Sequence, residues 1–306
     1  MQPSSIQVNK LHTFTGHRDS VYTLQQANES HLFFSGAGDG MATLWNLKEK
    51  NDGELIAQLP NSIYALHHLN EKELLVIGQN YSGIHLIDYQ TKKEIASLQM
   101  TTSAIFDIQS LANDLIVATA DGIITIVDLE KWVVKRRIPL SEKSARAIAI
   151  HKPSMEIAIG FSDHFIRILS AEDYQLKHEF KAHNNSAFTL SYSPDGKFLL
   201  SGARDARLKV WDVHSSYHLA EEIVAHMYAI NHIAFSPDGK YFATASMDKS
   251  IKVWETADLK LLKVIDKGRH AGHGTSVNKL LWTTFNNQLI SASDDRSISV
   301  WDLLFL

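Results

Sequence analysis

Residues 225–255 read AHMYAINHIAFSPDGKYFATASMDKSIKVWE. An alternating apolar run from Ala229 to Phe235 meets Ser236-Pro237-Asp238-Gly239, where proline pre-sets φ and glycine supplies the positive φ of a hairpin turn. Tyr241 to Ala245 returns as a second strand, Asp248 marks a tight turn, and a third alternating run ends at Trp254. A fourth run, Leu261 to Ile265, leads onward. The stretch reads as one antiparallel four-stranded unit with no helical periodicity.

That unit recurs along the chain. Trp45, Trp211, Trp254 and Trp301 each close a β-branched alternating run and are followed by Asn46, Asp212, Glu255 and Asp302. Between Trp45 and Trp211 the alternation returns in three runs, Gly83 to Asp88, Gly122 to Asp128 and His164 to Ser170, with Ile87, Val127 and Leu169 at the tryptophan position. The third strands thus end near 45, 87, 127, 169, 211, 254 and 301, at intervals of 42, 40, 42, 42, 43 and 47 residues. A period of this size marks a repeat architecture, and Pro194-Asp195-Gly196 repeats the hairpin turn of the quoted unit.

Four residue types keep fixed offsets in four of the units. A histidine lies 28 residues before the tryptophan (His17, His183, His226, His273), preceded by Gly16, Ala182, Ala225 or Gly272. A hydroxyl lies ten before it (Ser35, Ser201, Thr244, Ser291), and an aspartate six before it (Asp39, Asp205, Asp248, Asp295). With these residues the chain resembles the WD-repeat β-propeller family, whose units carry GH near the start and WD at the end. The resemblance spans nearly all of the chain. It implies that in units 1, 5, 6 and 7 the Trp45, Trp211, Trp254 and Trp301 rings join the hydroxyl, histidine and aspartate of their own unit in a buried hydrogen-bonded tetrad. Units 2, 3 and 4 depart: Ile77, Val117 and Ile159 replace the hydroxyl, and Tyr81 stands where units 3 and 4 keep Asp121 and Asp163. These three read as ordinary apolar-cored sheets, since replacing both partners of a buried polar pair by apolar groups can be nearly neutral.

The expected fold is therefore all-β: a single closed seven-bladed β-propeller of four-stranded antiparallel blades, with residues 1–306 as one domain. The chain stops soon after the third strand of unit 7, and the run Ile6 to Phe14 precedes the first GH. The resemblance implies that this N-terminal strand completes the last blade, which removes an exposed sheet edge.

Composition narrows the function. Lys+Arg total 30 against Asp+Glu 34, a net charge of −4, which argues against nucleic acid as the main partner. With 44% hydrophobic and 21% charged residues and no apolar run near the roughly 18 residues of a membrane span, the chain reads as a soluble protein without a membrane partner. Zero cysteines leave no thiolate site, disulfide or cysteine nucleophile. Met1 to Lys10 is polar and shows no secretory pattern, so a cytoplasmic location is expected.

Catalytic patterns are sparse. His270-x-x-His273 and His67-His68 have no carboxylate at a ligand spacing, and Gly36-Ala37-Gly38-Asp39-Gly40 precedes a strand, whereas a phosphate cradle opens a helix. The expectation is no metal, no cofactor and no catalytic residue. The alternative is an enzyme with its site at the central channel, betrayed by converging acids, bases or ligands of shifted pKa. A third possibility is a ring that builds a complex only through its blade sides.

In the resembling family the narrow face of the ring is lined by residues flanking the first apolar position of each inner strand and by the residue before the turn aspartate. Carried over by register, the first set is Tyr22, Tyr64, Phe106, Arg146, Phe188, Asn231 and Asn278, and the second includes Arg204, Met247 and Asp294. Aromatics and arginine are what binding hot spots use. The resemblance thus implies a monomeric ring acting as a non-catalytic scaffold that recognises a protein or peptide on this face and supports assembly of a larger complex. Arg146 and Arg204 on a net-acidic chain call for a partner with acidic residues beside its apolar anchors.

Overall fold

The computed structural model describes residues 6–50, 52–69 and 72–305. Within them the alternating runs pair into seven sheets of four antiparallel strands, one sheet per repeat. The inner strands are Val21–Gln26, Ile63–Leu69, Ile105–Leu111, Ala145–His151, Ala187–Tyr192, Ile230–Phe235 and Val277–Trp282. The third strands, among them Met41–Asn46, Arg207–Asp212 and Ile298–Phe305, hold the tryptophan position or its apolar substitute.

The ring closes as the ends of the sequence suggested. Ile6–Phe14 lies antiparallel to Ile298–Phe305, from Ile6 opposite Phe305 to Phe14 opposite Ile298, as the outer strand of the seventh sheet. Lys10 adds a hydrogen bond to the Ala271 carbonyl and lies over the Trp301 ring, 5.5 Å from its centroid.

The core is distributed between neighbouring blades. Ala243 and Val253 of the sixth sheet pack with Leu280, Leu289 and Trp301 of the seventh. Phe33 and Trp45 of the first pack with Ile290 and Val300 of the seventh, and Phe14 of the closing strand joins them. Each of the larger of these side chains contributes about 1.5–3 kcal/mol on full burial, so every blade depends on both neighbours.

Each inner strand carries a β-bulge at its second residue. Pairing to the second strand passes from Val21 to Thr23, Ile63 to Ala65, Ile105 to Asp107, Ala145 to Ala147, Ala187 to Thr189, Ile230 to His232 and Val277 to Lys279. The residue skipped in each case is Tyr22, Tyr64, Phe106, Arg146, Phe188, Asn231 or Asn278. A bulge leaves its extra residue outside the ladder and re-aims its side chain.

Two details depart from the sequence reading. An all-strand unit was expected, yet the longest interval, 47 residues, contains a helical turn at Lys267–His270, capped by the Asp266 side chain, and a 3₁₀ turn at Phe285–Asn287. Both are too short to create periodicity. Blades 2 to 4 do bury Ile77, Val117 and Ile159, but they are not free of polar ties. His85 bridges Gln79 and Glu94, Thr119 donates to Asp121, and the buried Arg167 guanidinium pairs with Asp163 at 2.8 Å and Glu179 at 2.6 Å. These pairs tie strand to strand in blade 2, and strand to turn in blades 3 and 4, where the tetrad is missing.

Candidate binding face

The four tetrads are assembled from the sequence-predicted residues. In blade 1 the Trp45 indole donates to Ser35 Oγ at 2.7 Å, Ser35 meets His17 Nε2 at 2.7 Å, and His17 Nδ1 meets Asp39 at 3.1 Å. The corresponding distances are 2.8, 2.8 and 3.2 Å in blade 5 (Trp211, Ser201, His183, Asp205). They are 3.0, 2.8 and 2.8 Å in blade 6 (Trp254, Thr244, His226, Asp248), and 2.8, 2.8 and 3.0 Å in blade 7 (Trp301, Ser291, His273, Asp295).

Donor chemistry orders each chain in one direction. An indole N–H can only donate, so the hydroxyl accepts from it and gives its own proton to Nε2; the imidazole is then neutral and donates from Nδ1 to the carboxylate. Burial keeps the His226 pKa below its ordinary value, with Asp248 opposing. Burial alone would raise Asp205, but hydrogen bonds from His183 and the Asn184 N–H hold it at about 2. In each blade the aspartate also accepts the backbone N–H of the residue after the histidine, as Arg18 does at 2.8 Å. The tetrad thereby fastens the loop entering the blade to the turn between its second and third strands.

These loops and turns surround the mouth of a central cavity of about 880 Å³. All seven bulge residues line it, as do Met247 and Asp294, while Arg204 is exposed and stands off its wall. Five consecutive blades present one continuous run of stacked side chains. Tyr22 meets Tyr64 edge-on at 4.7 Å, Tyr64 stacks on Phe106 at 5.8 Å and 3°, and the Arg146 guanidinium lies 4.0 Å from the Phe106 centroid and 4.8 Å from that of Phe188. Burial lowers the Arg146 pKa, with Tyr64 opposing and the charge of Arg204 adding to the effect.

The two asparagines behave differently. Asn231 donates to Ser276 Oγ and the Val277 carbonyl, both at 2.9 Å, and Asn278 donates to the Val21 carbonyl at 3.0 Å and to Asp294 at 2.7 Å. Their amides stitch blade 6 to 7 and blade 7 to 1.

Sequence reasoning missed the next ring of residues. Asp107, Ala147, Thr189, His232 and Lys279, each one position beyond the bulge, also line the cavity. Asp107 accepts the N–H groups of Ile108 at 2.9 Å and Ile148 of the next blade at 2.8 Å, Thr189 accepts that of Ile233, and His232 Nδ1 that of Leu280. Each of these three acceptors caps an inner strand of the neighbouring blade. The signal was present as a fixed offset from the first apolar position, but the residue types vary too much for the offset to draw notice.

Comparison with known proteins agrees with this architecture. The pattern of the WD domain, G-beta repeat (WD40) family matches residues 8–46, 174–212, 219–255 and 265–302, together half of the chain and the four units that carry the tetrad. Among similar proteins, a striatin homolog of Dictyostelium discoideum is 23% identical over 65% of this chain and 21% of its own length. The periodic tryptophan protein 2 homolog of Mus musculus is 22% identical over 67% of this chain and 24% of its own. WD repeat-containing protein 18 of Homo sapiens is 25% identical over 68% and 44%. The chain therefore spans less than half the length of each of these relatives. With seven sheets closed by the N-terminal strand, four tetrads in place and half of its residues matched, the chain belongs to the WD40 repeat family of β-propellers.

Proposed function

We propose that this propeller is a non-catalytic scaffold that binds a protein or peptide at the mouth of its central cavity and holds it within a larger assembly. The observation that carries this reading is the unbroken run Tyr22–Tyr64–Phe106–Arg146–Phe188. Rigid rings already stacked on one another bury area on binding at little further entropic cost. Arg146 has both guanidinium faces covered and forms no hydrogen bond or ion pair among the described residues, so its in-plane N–H groups stand ready for a carboxylate. Met247, Tyr81, Tyr228 and Met227 add exposed apolar surface on loops at the same end, at 49%, 61%, 60% and 84% exposure.

The enzyme alternative draws less support from the channel. Among the titratable residues that line it, both Asp107 oxygens accept backbone N–H groups, Asp294 accepts from Asn278, and His232 Nδ1 accepts the Leu280 N–H, so each of these is engaged in holding the scaffold.

The experiment is quantitative affinity capture from native extract with the wild-type chain and the Phe106→Ala/Phe188→Ala double variant, folding being checked by circular dichroism. Loss of the main partner from the folded variant is expected, at about 2 kcal/mol or more for a hot-spot truncation. Undiminished capture would move the site to the other face or to a blade side.

A further inference from the structure

Lys279 and His232 sit side by side on the cavity wall, in the inner strands of blades 7 and 6. His232 accepts the Leu280 N–H at Nδ1, so in its neutral form the ring proton is on Nε2. Burial holds the imidazole well below its ordinary pKa, and the neighbouring Lys279 charge acts in the same direction. Burial also lowers the Lys279 pKa, with Asp107 opposing. Yet Lys279 donates no hydrogen bond and forms no ion pair among the described residues, and His232 Nε2 has no partner there either.

The carboxylates of the same wall are in the opposite position. Asp107 accepts from two backbone N–H groups and from Gln109, and Asp294 accepts from Asn278. The acidic groups are satisfied by dipoles and the donors are not. Both side chains are half-buried on the cavity wall, and an ammonium partly withdrawn from water gains from a charged acceptor brought in from outside.

We propose that this part of the wall is a carboxylate subsite: the polypeptide segment that docks on the mouth inserts one aspartate or glutamate side chain, which accepts hydrogen bonds from the Lys279 ammonium and from His232 Nε2. The proposal rests on the reading of the mouth as a polypeptide-binding site and extends it inward. A monoanion suits the site because Asp107 and Asp294 line the same cavity and Asp107 acts electrostatically on Lys279, so a phosphate dianion would be repelled more strongly than a carboxylate. The acid is expected on a polypeptide because the cavity is continuous with the aromatic run, and its 880 Å³ is far more than a lone carboxylate fills.

The test is selection of a random dodecapeptide display library on the wild-type protein, on Phe106→Ala/Phe188→Ala and on Lys279→Met. The wild type is expected to select Asp or Glu at one fixed position beside apolar residues, and Lys279→Met to keep the apolar consensus without the acid. By calorimetry, the selected peptide should bind the wild type about tenfold more tightly than its Glu→Gln (or Asp→Asn) analogue, and Lys279→Met should bind the two within about twofold. Without peptide, Lys279→Met should melt at or above the wild-type temperature, because a half-buried charge with no ion-pair partner among the described residues has been removed.

An acid-free consensus that still depends on Phe106 and Phe188 overturns the carboxylate subsite and leaves the mouth standing. Peptides indifferent to those two rings, or no selected peptides at all, overturn both readings. Displacement of the peptide by millimolar succinate would assign the subsite to a free carboxylic acid, and a lower melting temperature for Lys279→Met would make the lysine structural; either result overturns the proposal.

Discussion

Replacing Thr244 by valine tests how the tetrad supports a blade. The side chains have nearly the same shape, and Thr244 is fully buried, so the change acts through the hydroxyl alone. That oxygen accepts from the Trp254 indole at 3.0 Å and meets His226 Nε2 at 2.8 Å. Without it an indole N–H and an imidazole nitrogen are stranded in residues 3% and 4% exposed. Each orphaned buried group costs about 1–3 kcal/mol, and relief of the hydroxyl's own desolvation returns part of this, which leaves a loss of about 2–4 kcal/mol. With an unfolding entropy of about 2.1 cal/mol/K per residue, the melting temperature should fall by roughly 3–6 °C. Adding Trp254→Phe removes one of the stranded donors, so a double-mutant cycle, followed by far-ultraviolet circular dichroism in guanidinium, should return a coupling energy of about 1 kcal/mol or more. A Thr244→Val protein within about 0.5 kcal/mol of wild type, or strictly additive single variants, would refute the account of the network as mutually dependent.

Three further outcomes follow from the geometry. Deleting residues 1–14 strips the partner strand from Ile298–Phe305 and should give a chain that self-associates or melts earlier, read by light scattering and calorimetry; a monomer with unchanged melting temperature would contradict closure by that strand. His67, whose pKa is lowered to about 4 by burial and secondarily by the charge of His68, binds its proton more weakly folded than unfolded, so its contribution to stability is complete above about pH 6.5 and is lost on acidification towards 4. Stability should fall by up to about 1.4 kcal/mol per pH unit across that window, and His67→Gln should flatten the profile. Gly40→Ala should destabilise blade 1 measurably in the same melts, because φ is +74° there and the added Cβ would meet the Leu59 carbonyl oxygen at 2.1 Å.

Much of this was legible because the repeat multiplies each signal. Trp45, Trp211, Trp254 and Trp301 with their three partners at constant offsets fixed the strand order, and the apolar substitutes Ile87, Val127 and Leu169 preserved the count where the polar signal lapsed. The seven cavity residues were reachable by register alone. Why they leave the blade was not, since a bulge has no residue signature here: its site holds tyrosine, phenylalanine, arginine or asparagine. Arg167 with Asp163 and Glu179 was hidden for another reason, as Glu179 lies on the next strand and only the folded blade brings it to the other two charges. Lys279 and His232 escaped because their meaning depends on what surrounds them in the closed ring.

The bulge also separates the positions that hold the scaffold together from those that face the central cavity. The tetrad makes the same contacts in four blades, so its residues are determined by partners within the blade; blades 2 to 4 lack its hydroxyl and tryptophan, and of the turn aspartates only Asp121 and Asp163 remain there. A bulge residue has no ladder partner and therefore no such constraint. In blades 1 to 5 the free position holds large rings and an arginine, in blades 6 and 7 asparagines that tie neighbouring inner strands together. At the bulge positions, large side chains thus gather over blades 1 to 5 while inter-blade amide ties occur at blades 6 and 7, an asymmetry within a sevenfold scaffold. Under the proposed function, a partner reading that asymmetry would bind in one rotational setting, with its apolar anchors on the aromatic arc and its inserted acidic group at Lys279 and His232. Exchanging Asn231 for phenylalanine would extend the arc but cut a blade-to-blade tie, so it should cost stability, whereas Phe188→Asn should cost binding and leave the fold intact.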